Sequence, residues 1–147
     1  MIKKIFTISV IIVLYVATLA CKSRILGPIF PIEDFSEYNS IVIAKVENAK
    51  HQNQGYSPLK SFKITIKQSL KGNLQIGEKI SGLAKVEEPR ARCPVHLDKN
   101  SDYLMLLTKD DEGYKLSRFS YPVKNDYVYF DDYIKQIEKL LANEKDN

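Results

Sequence analysis

The sequence predicts a mainly-β domain, a small antiparallel barrel or sandwich of five to six short strands followed by a C-terminal helix. Three observations carry that expectation. Residues 62–67 read Phe-Lys-Ile-Thr-Ile-Lys, the period-2 alternation of a strand with one buried and one wet face. The runs 41–46 and 103–107 are largely apolar, as in strands covered on both sides. Near the end the spacing changes, and Ile134, Ile137, Leu140 and Leu141 fall on one helical stripe.

The elements follow in chain order. Met1-Ile2-Lys3-Lys4 is a short basic start, and residues 5–20 hold no charge, Pro or Gly. That is the layout of a secretory signal peptide. As a helix, this run would be about 24 Å long, short of the roughly 30 Å hydrocarbon core of a bilayer. It ends at Ala17-Thr18-Leu19-Ala20-Cys21, which resembles the lipobox of bacterial lipoproteins. That resemblance implies cleavage between Ala20 and Cys21, with the Cys21 sulfur carrying a diacylglyceryl lipid. Cys93 is the other cysteine, so the alternative use of Cys21 is a disulfide with it, and a lipid on the sulfur excludes that bond.

Residues 21–37 read as a tether, because Pro28 and Pro31 disfavour helix in the residues before them. Ile29, Phe30 and Ile32 are too apolar for a pure linker and are expected to pack on the domain that spans 38–147. Within that domain, 41–46 is a strand and 48–58 is polar and turn-like. The alternating strand comes next and closes on Lys71-Gly72-Asn73. A weaker strand lies around Lys79-Ile80-Ser81, and 86–101 is loop. The buried strand 103–107 runs through Asp110-Asp111-Glu112-Gly113 as a hairpin turn into Tyr114-Lys115-Leu116. Residues 127–130 form a further extended run, and Asp131 or Asp132 caps the terminal helix.

Composition narrows the function classes. The whole chain holds 22 Lys and Arg against 18 Asp and Glu. The leader contributes two of the lysines and no acid, so the 127 residues from 21 onward carry a net charge of +2. A mixed surface of that kind is not a nucleic-acid-binding balance. With two cysteines at most, the domain rests on its apolar core and not on a disulfide framework.

Three segments in order resemble landmarks of netrin-like domains, the family that includes tissue inhibitors of metalloproteinases. They are Tyr-Asn-Ser-Ile-Val-Ile-Ala-Lys-Val at 38–46, Phe-Lys-Ile-Thr-Ile-Lys-Gln-Ser-Leu-Lys-Gly at 62–72 and Cys-Pro-Val-His-Leu-Asp-Lys-Asn-Ser-Asp-Tyr-Leu-Met-Leu-Leu at 93–107. The resemblance implies a five-stranded OB-type barrel with a flanking helix. The inhibitors of that family open on Cys-x-Cys, whose first residue chelates the protease zinc. Here Cys21 matches the first position and Ser23 stands at the second, so the resemblance carries the fold and not the inhibitory mechanism.

Candidate chemistry is sparse. Cys93 and His96 could contribute to a metal or thiol site, but His51 is the only other histidine and a zinc site needs more ligands. No hydrolase or phosphate-loop motif occurs. Lys60, Lys63, Lys67 and Lys71 form a cationic stripe, with Lys63 and Lys67 on the wet face of the alternating strand as ligand-facing candidates. Tyr121, Tyr127, Tyr129 and Tyr133 read as packing for the helix. The expectation is a non-enzymatic, cofactor-free and metal-free interaction module. It is held extracytoplasmically at the cell envelope, on the outer membrane, by lipid on Cys21, and it recognises an envelope protein or glycan and no nucleic acid. The alternatives are a secreted metalloprotease inhibitor with a Cys21–Cys93 disulfide, or an envelope enzyme or metal-binding protein using Cys93 and His96.

Overall fold

The computed structural model describes residues 27–51, 59–84, 95–116 and 122–145. Strands β1 (Ser40–His51), β2 (Leu59–Lys71), β3 (Lys79–Ala84), β4 (Asp102–Asp110) and β5 (Gly113–Leu116) close into a ring in the order β1-β2-β3-β5-β4, with β4 returning to β1. All pairs are antiparallel except β3 with β5. A short sixth strand, β6 (Val123–Lys124), lies outside the ring on β4, and helix α1 (Phe130–Lys145) follows it. This is the mainly-β, OB-like barrel with a C-terminal helix that the sequence predicts.

The three sequence patterns correspond to three environments. Val42, Ala44 and Val46 of β1 and Tyr103, Met105 and Leu107 of β4 point into the barrel. Their neighbours Ile41, Leu104 and Leu106 point outward, and α1 covers them. Both strands therefore have two dry faces, and their near-continuous apolar runs follow. Strand β2 has no such cover over residues 62–67, and only its end at Leu70 meets the outer layer. Phe62, Ile64 and Ile66 fill the barrel while Lys63 and Lys67 are exposed, so its pattern alternates.

The outer layer is built by α1 and the segment before β1. Phe130, Tyr133 and Ile137 are the buried stripe of the helix, and Ile134, Leu140 and Leu141 flank it half-buried. Phe30 and Phe35 are buried in the same layer. Phe30 packs on Tyr133 with ring centroids 5.1 Å apart. Three hydrogen bonds clip this segment to the helix: Phe30 N–H donates to Gln136 Oε1 (3.0 Å), Gln136 Nε2 donates to the Pro28 carbonyl (2.9 Å) and the Tyr133 hydroxyl donates to the Gly27 carbonyl. Burial and then Tyr127 push the Tyr133 phenol up to about 12, so the hydroxyl keeps its proton as donor. Ile32 is half-buried here, as expected, whereas Ile29 is exposed.

Several elements differ from the sequence reading. Residues 48–51, expected as turn, continue β1 because the long β2 offers Lys63, Phe62, Ser61 and Leu59 as partners. The pairing absorbs the polar composition through irregularities at Val46/Asn48 and Lys50/His51. Residues 127–130 are not extended. Tyr127 N–H bonds to the Lys124 carbonyl and Phe130 N–H to the Tyr127 carbonyl, each at 3.0 Å, and the chain turns into the helix. Asp131 and Asp132 lie inside its first turn, where they still favour the helix dipole.

Candidate ligand-binding face

With α1 covering β1 and β4, the exposed outer wall of the barrel is the β2–β3 side and the end of β1. Register sets what meets there. Lys63 pairs with Asn48 on one side and Ser81 on the other. Together with Lys50, Leu83 and Glu112 these residues line a surface depression of about 260 Å³. Its floor is Phe62 and Gly82, opposite one another across β2 and β3. An added Cβ on Gly82 would lie 2.2 Å from Phe62 Cζ. The glycine therefore makes room for the ring, a close-approach role for glycine in a strand.

The charge in the depression is two lysines against one carboxylate. Glu112 is engaged by Lys115, an ion pair that holds the Lys115 ammonium above its ordinary range. That leaves Lys50 and Lys63 as the cations facing the space, beside serine hydroxyls, the Asn48 amide and Leu83, which is 40% exposed. Donors beside a small apolar shelf suit a ligand with anionic or hydroxyl groups on a compact body.

The expected stripe divides. Lys63 lines the depression; Lys67 is exposed on the same strand but lies outside it. Between them Thr65 donates to Glu47 Oε1 at 2.9 Å. The Lys71 ammonium is drawn to the Phe35 carbonyl, so it belongs to the outer layer. The tyrosines pack as expected: Tyr127 and Tyr129 lie 5.9 and 6.3 Å from Tyr133 by ring centroids.

A second polar cluster sits at one end of the barrel. The rings of His51 and His96 stack at 4.6 Å. His96 Nε2 lies 3.3 Å from Asp98 Oδ1, and Lys124 Nζ lies 3.1 Å from Asp98 Oδ2. The Tyr103 hydroxyl accepts from the Asp98 N–H at 3.0 Å. Hydrogen bonding from Lys124 holds the Asp98 carboxyl below its ordinary value. Burial, then the neighbouring His96, lowers His51, with Asp98 opposing. Nothing local in the sequence marks this stacking of His51 on His96. The signal was register: β1 pairs with β4 from Ser40 with Leu107 to Lys45 with Asp102, and continuing that register brings residue 96 opposite residue 51.

Among the described residues no group of three or more His, Cys, Asp or Glu is placed to hold a metal. Cys93, Tyr121, and the Ala20–Cys21 junction with its leader lie outside the described residues. No protein-family model and no curated protein sequence matches this chain.

Proposed function

We propose that this protein is a lipid-anchored, non-catalytic binding module of the bacterial cell envelope. It would be tethered through Cys21, and the β2–β3 wall of the barrel would engage an envelope protein or glycan. The observation that carries the binding role is the depression in which Lys50 and Lys63 face outward beside exposed Leu83. The compartment and the anchor rest on the leader-like run and the Ala20–Cys21 junction. An acidic or hydroxyl-rich ligand would exchange its water for lysine and serine donors there, while Leu83 covers its apolar part.

The test has two parts. Intact mass and metabolic fatty-acid labelling of the wild type and Cys21→Ala report the anchor; label on the wild type alone is expected. Titration with uronic-acid oligosaccharides, followed by NMR amide shifts, reports the face. Shifts confined to β2, β3 and the end of β1 and lost in Lys50→Glu/Lys63→Glu are expected. Shifts spread over α1, or unchanged in the double variant, would move the ligand elsewhere.

A further inference from the structure

We propose that the side of the domain bearing Ile29, Val128 and the tyrosine cluster rests on the surface of the bilayer that holds the anchor. This rests on lipidation at Cys21, as proposed above. Ile29 and Val128 are 73% and 79% exposed, although both sit in an apolar neighbourhood. Ile29 adjoins Phe30, which packs on Tyr133. Val128 lies between Tyr127 and Tyr129, which pack on the same ring. Each of the two bare aliphatic side chains is thus next in sequence to a ring packed on Tyr133, and Tyr127 and Tyr129 are themselves half-buried. Tyrosine suits the headgroup level of a membrane, where an apolar ring meets a wet hydroxyl.

The chain path supplies the second argument. The three bonds to Tyr133 and Gln136 hold Gly27, Pro28 and Phe30 on α1. Gly27 is only six positions along the chain from Cys21, a reach of about 20 Å at full extension. A lipid on Cys21 thus keeps Gly27 within that distance of the headgroups, and Ile29 is two residues further on. The ring order adds the third argument. Helix α1 covers β1 and β4, and β3 lies across the barrel from that pair. Seating the Ile29–Val128 side on lipid turns the depression beside Leu83 away from the membrane.

Charge decides the type of bilayer. Glu33, Asp34, Asp126, Asp131 and Asp132 are exposed on the segments that carry the patch, against two paired cations, Lys124 at 3.3 Å from Asp126 and Lys135 at 3.9 Å from Asp132. The seating is therefore apolar and favours zwitterionic lipid, with anionic lipid weakening it.

The chain contains no Trp, so single replacements report cleanly. Full-length Ile29→Trp, Val128→Trp and Leu83→Trp proteins would be reconstituted into phosphatidylcholine vesicles with brominated acyl chains, and their lipid content read by intact mass. At least twofold stronger bromine quenching at positions 29 and 128 than at 83 is expected, with the reverse order for aqueous iodide. Equal quenching at all three positions in lipid-bearing protein would overturn the proposal and leave the anchor standing. Protein that proves to carry no lipid would remove the anchor. Mixing the same proteins with vesicles would then decide the face: quenching at 29 and 128 supports it, and none refutes it.

Discussion

Replacing Gly82 with alanine tests whether barrel closure depends on one glycine. Gly82 is buried and pairs with Phe62. Its added methyl would lie 2.2, 2.7 and 2.8 Å from Phe62 Cζ, Cε2 and Cε1. Each distance is far inside the roughly 3.5–4.0 Å carbon–carbon optimum, so the ring or the strand must move. Phe62 is only 2% exposed and packed among the side chains that fill the barrel, so the ring has little room to move aside. Overpacking of this kind costs about 1–3 kcal/mol, which lowers Tm by roughly 4–12 °C in a domain of this size. Phe62→Leu alone makes a void and also destabilises. Combined with Gly82→Ala, the smaller side chain relieves the clash, so the double variant should lose at least about 1 kcal/mol less than the two single losses added together. Urea melts of all four proteins from residue 22, followed by circular dichroism, give the cycle. Strict additivity, or a Gly82→Ala loss below about 0.5 kcal/mol, would refute the close-approach account.

Two further outcomes follow from the same structure. Ile64 is fully buried in the barrel and Lys63 is exposed beside it, so Ile64→Ala should cost about 2–5 kcal/mol and Lys63→Ala less than about 0.5 kcal/mol in the same melts; similar losses would mean that the faces of β2 are reversed. His51 should make the fold sensitive to mild acid. Its value is lowered below the ordinary 6.5, so below that pH the unfolded chain takes a proton the fold resists, and stability falls until the native value is passed. Asp98 acts in a separate window, stabilising above the ordinary 3.8 and losing that contribution only below it. Melts between about pH 7.5 and pH 5 should therefore show a decline that His51→Phe, which keeps a stacking ring, reduces; an equal slope in the variant would show that another group is responsible.

What the sequence made legible depended on how many faces of each segment are wet. Strand β2 borders solvent on one side, so its alternation could be read directly. Strands β1 and β4 have dry faces on both sides, and their apolar runs reported burial without saying what lay on each face. Tyr127 to Phe130 has the composition of a strand, yet its partners are Tyr133 and the turn at Lys124; tertiary packing overrode β propensity. Phe35, fully buried, was invisible because Asp34, Ser36 and Glu37 around it give no period. The depression was half legible. Lys63 and Lys67 could be placed on one wet face, but only register shows that Lys63 joins Asn48 and Ser81 while Lys67 does not. Cross-strand neighbours far apart in sequence leave no local trace, and the same holds for Gly82 under Phe62 and His51 against His96.

Helix α1 is part of the barrel's stability and not an attachment to it. Without it, Ile41, Leu104 and Leu106, all fully buried, would form an apolar strip on the outside of the ring, since their strands cannot turn those residues inward without exposing Val42, Met105 and Leu107. Burying that strip requires a second layer, which Tyr133, Ile137, Phe30 and Phe35 supply. The segment preceding β1 is therefore held by the same side chains that cover the barrel. A pull on the chain before Gly27 acts first on Tyr133 and Gln136 of α1. The β2–β3 wall stands across the ring from that load. In the proposed anchored state, tension from the membrane would be resisted in the outer layer while the depression at Lys63 keeps its shape. The layered burial that follows from the two-faced apolar strands would thus separate the proposed attachment side from the proposed ligand-facing side.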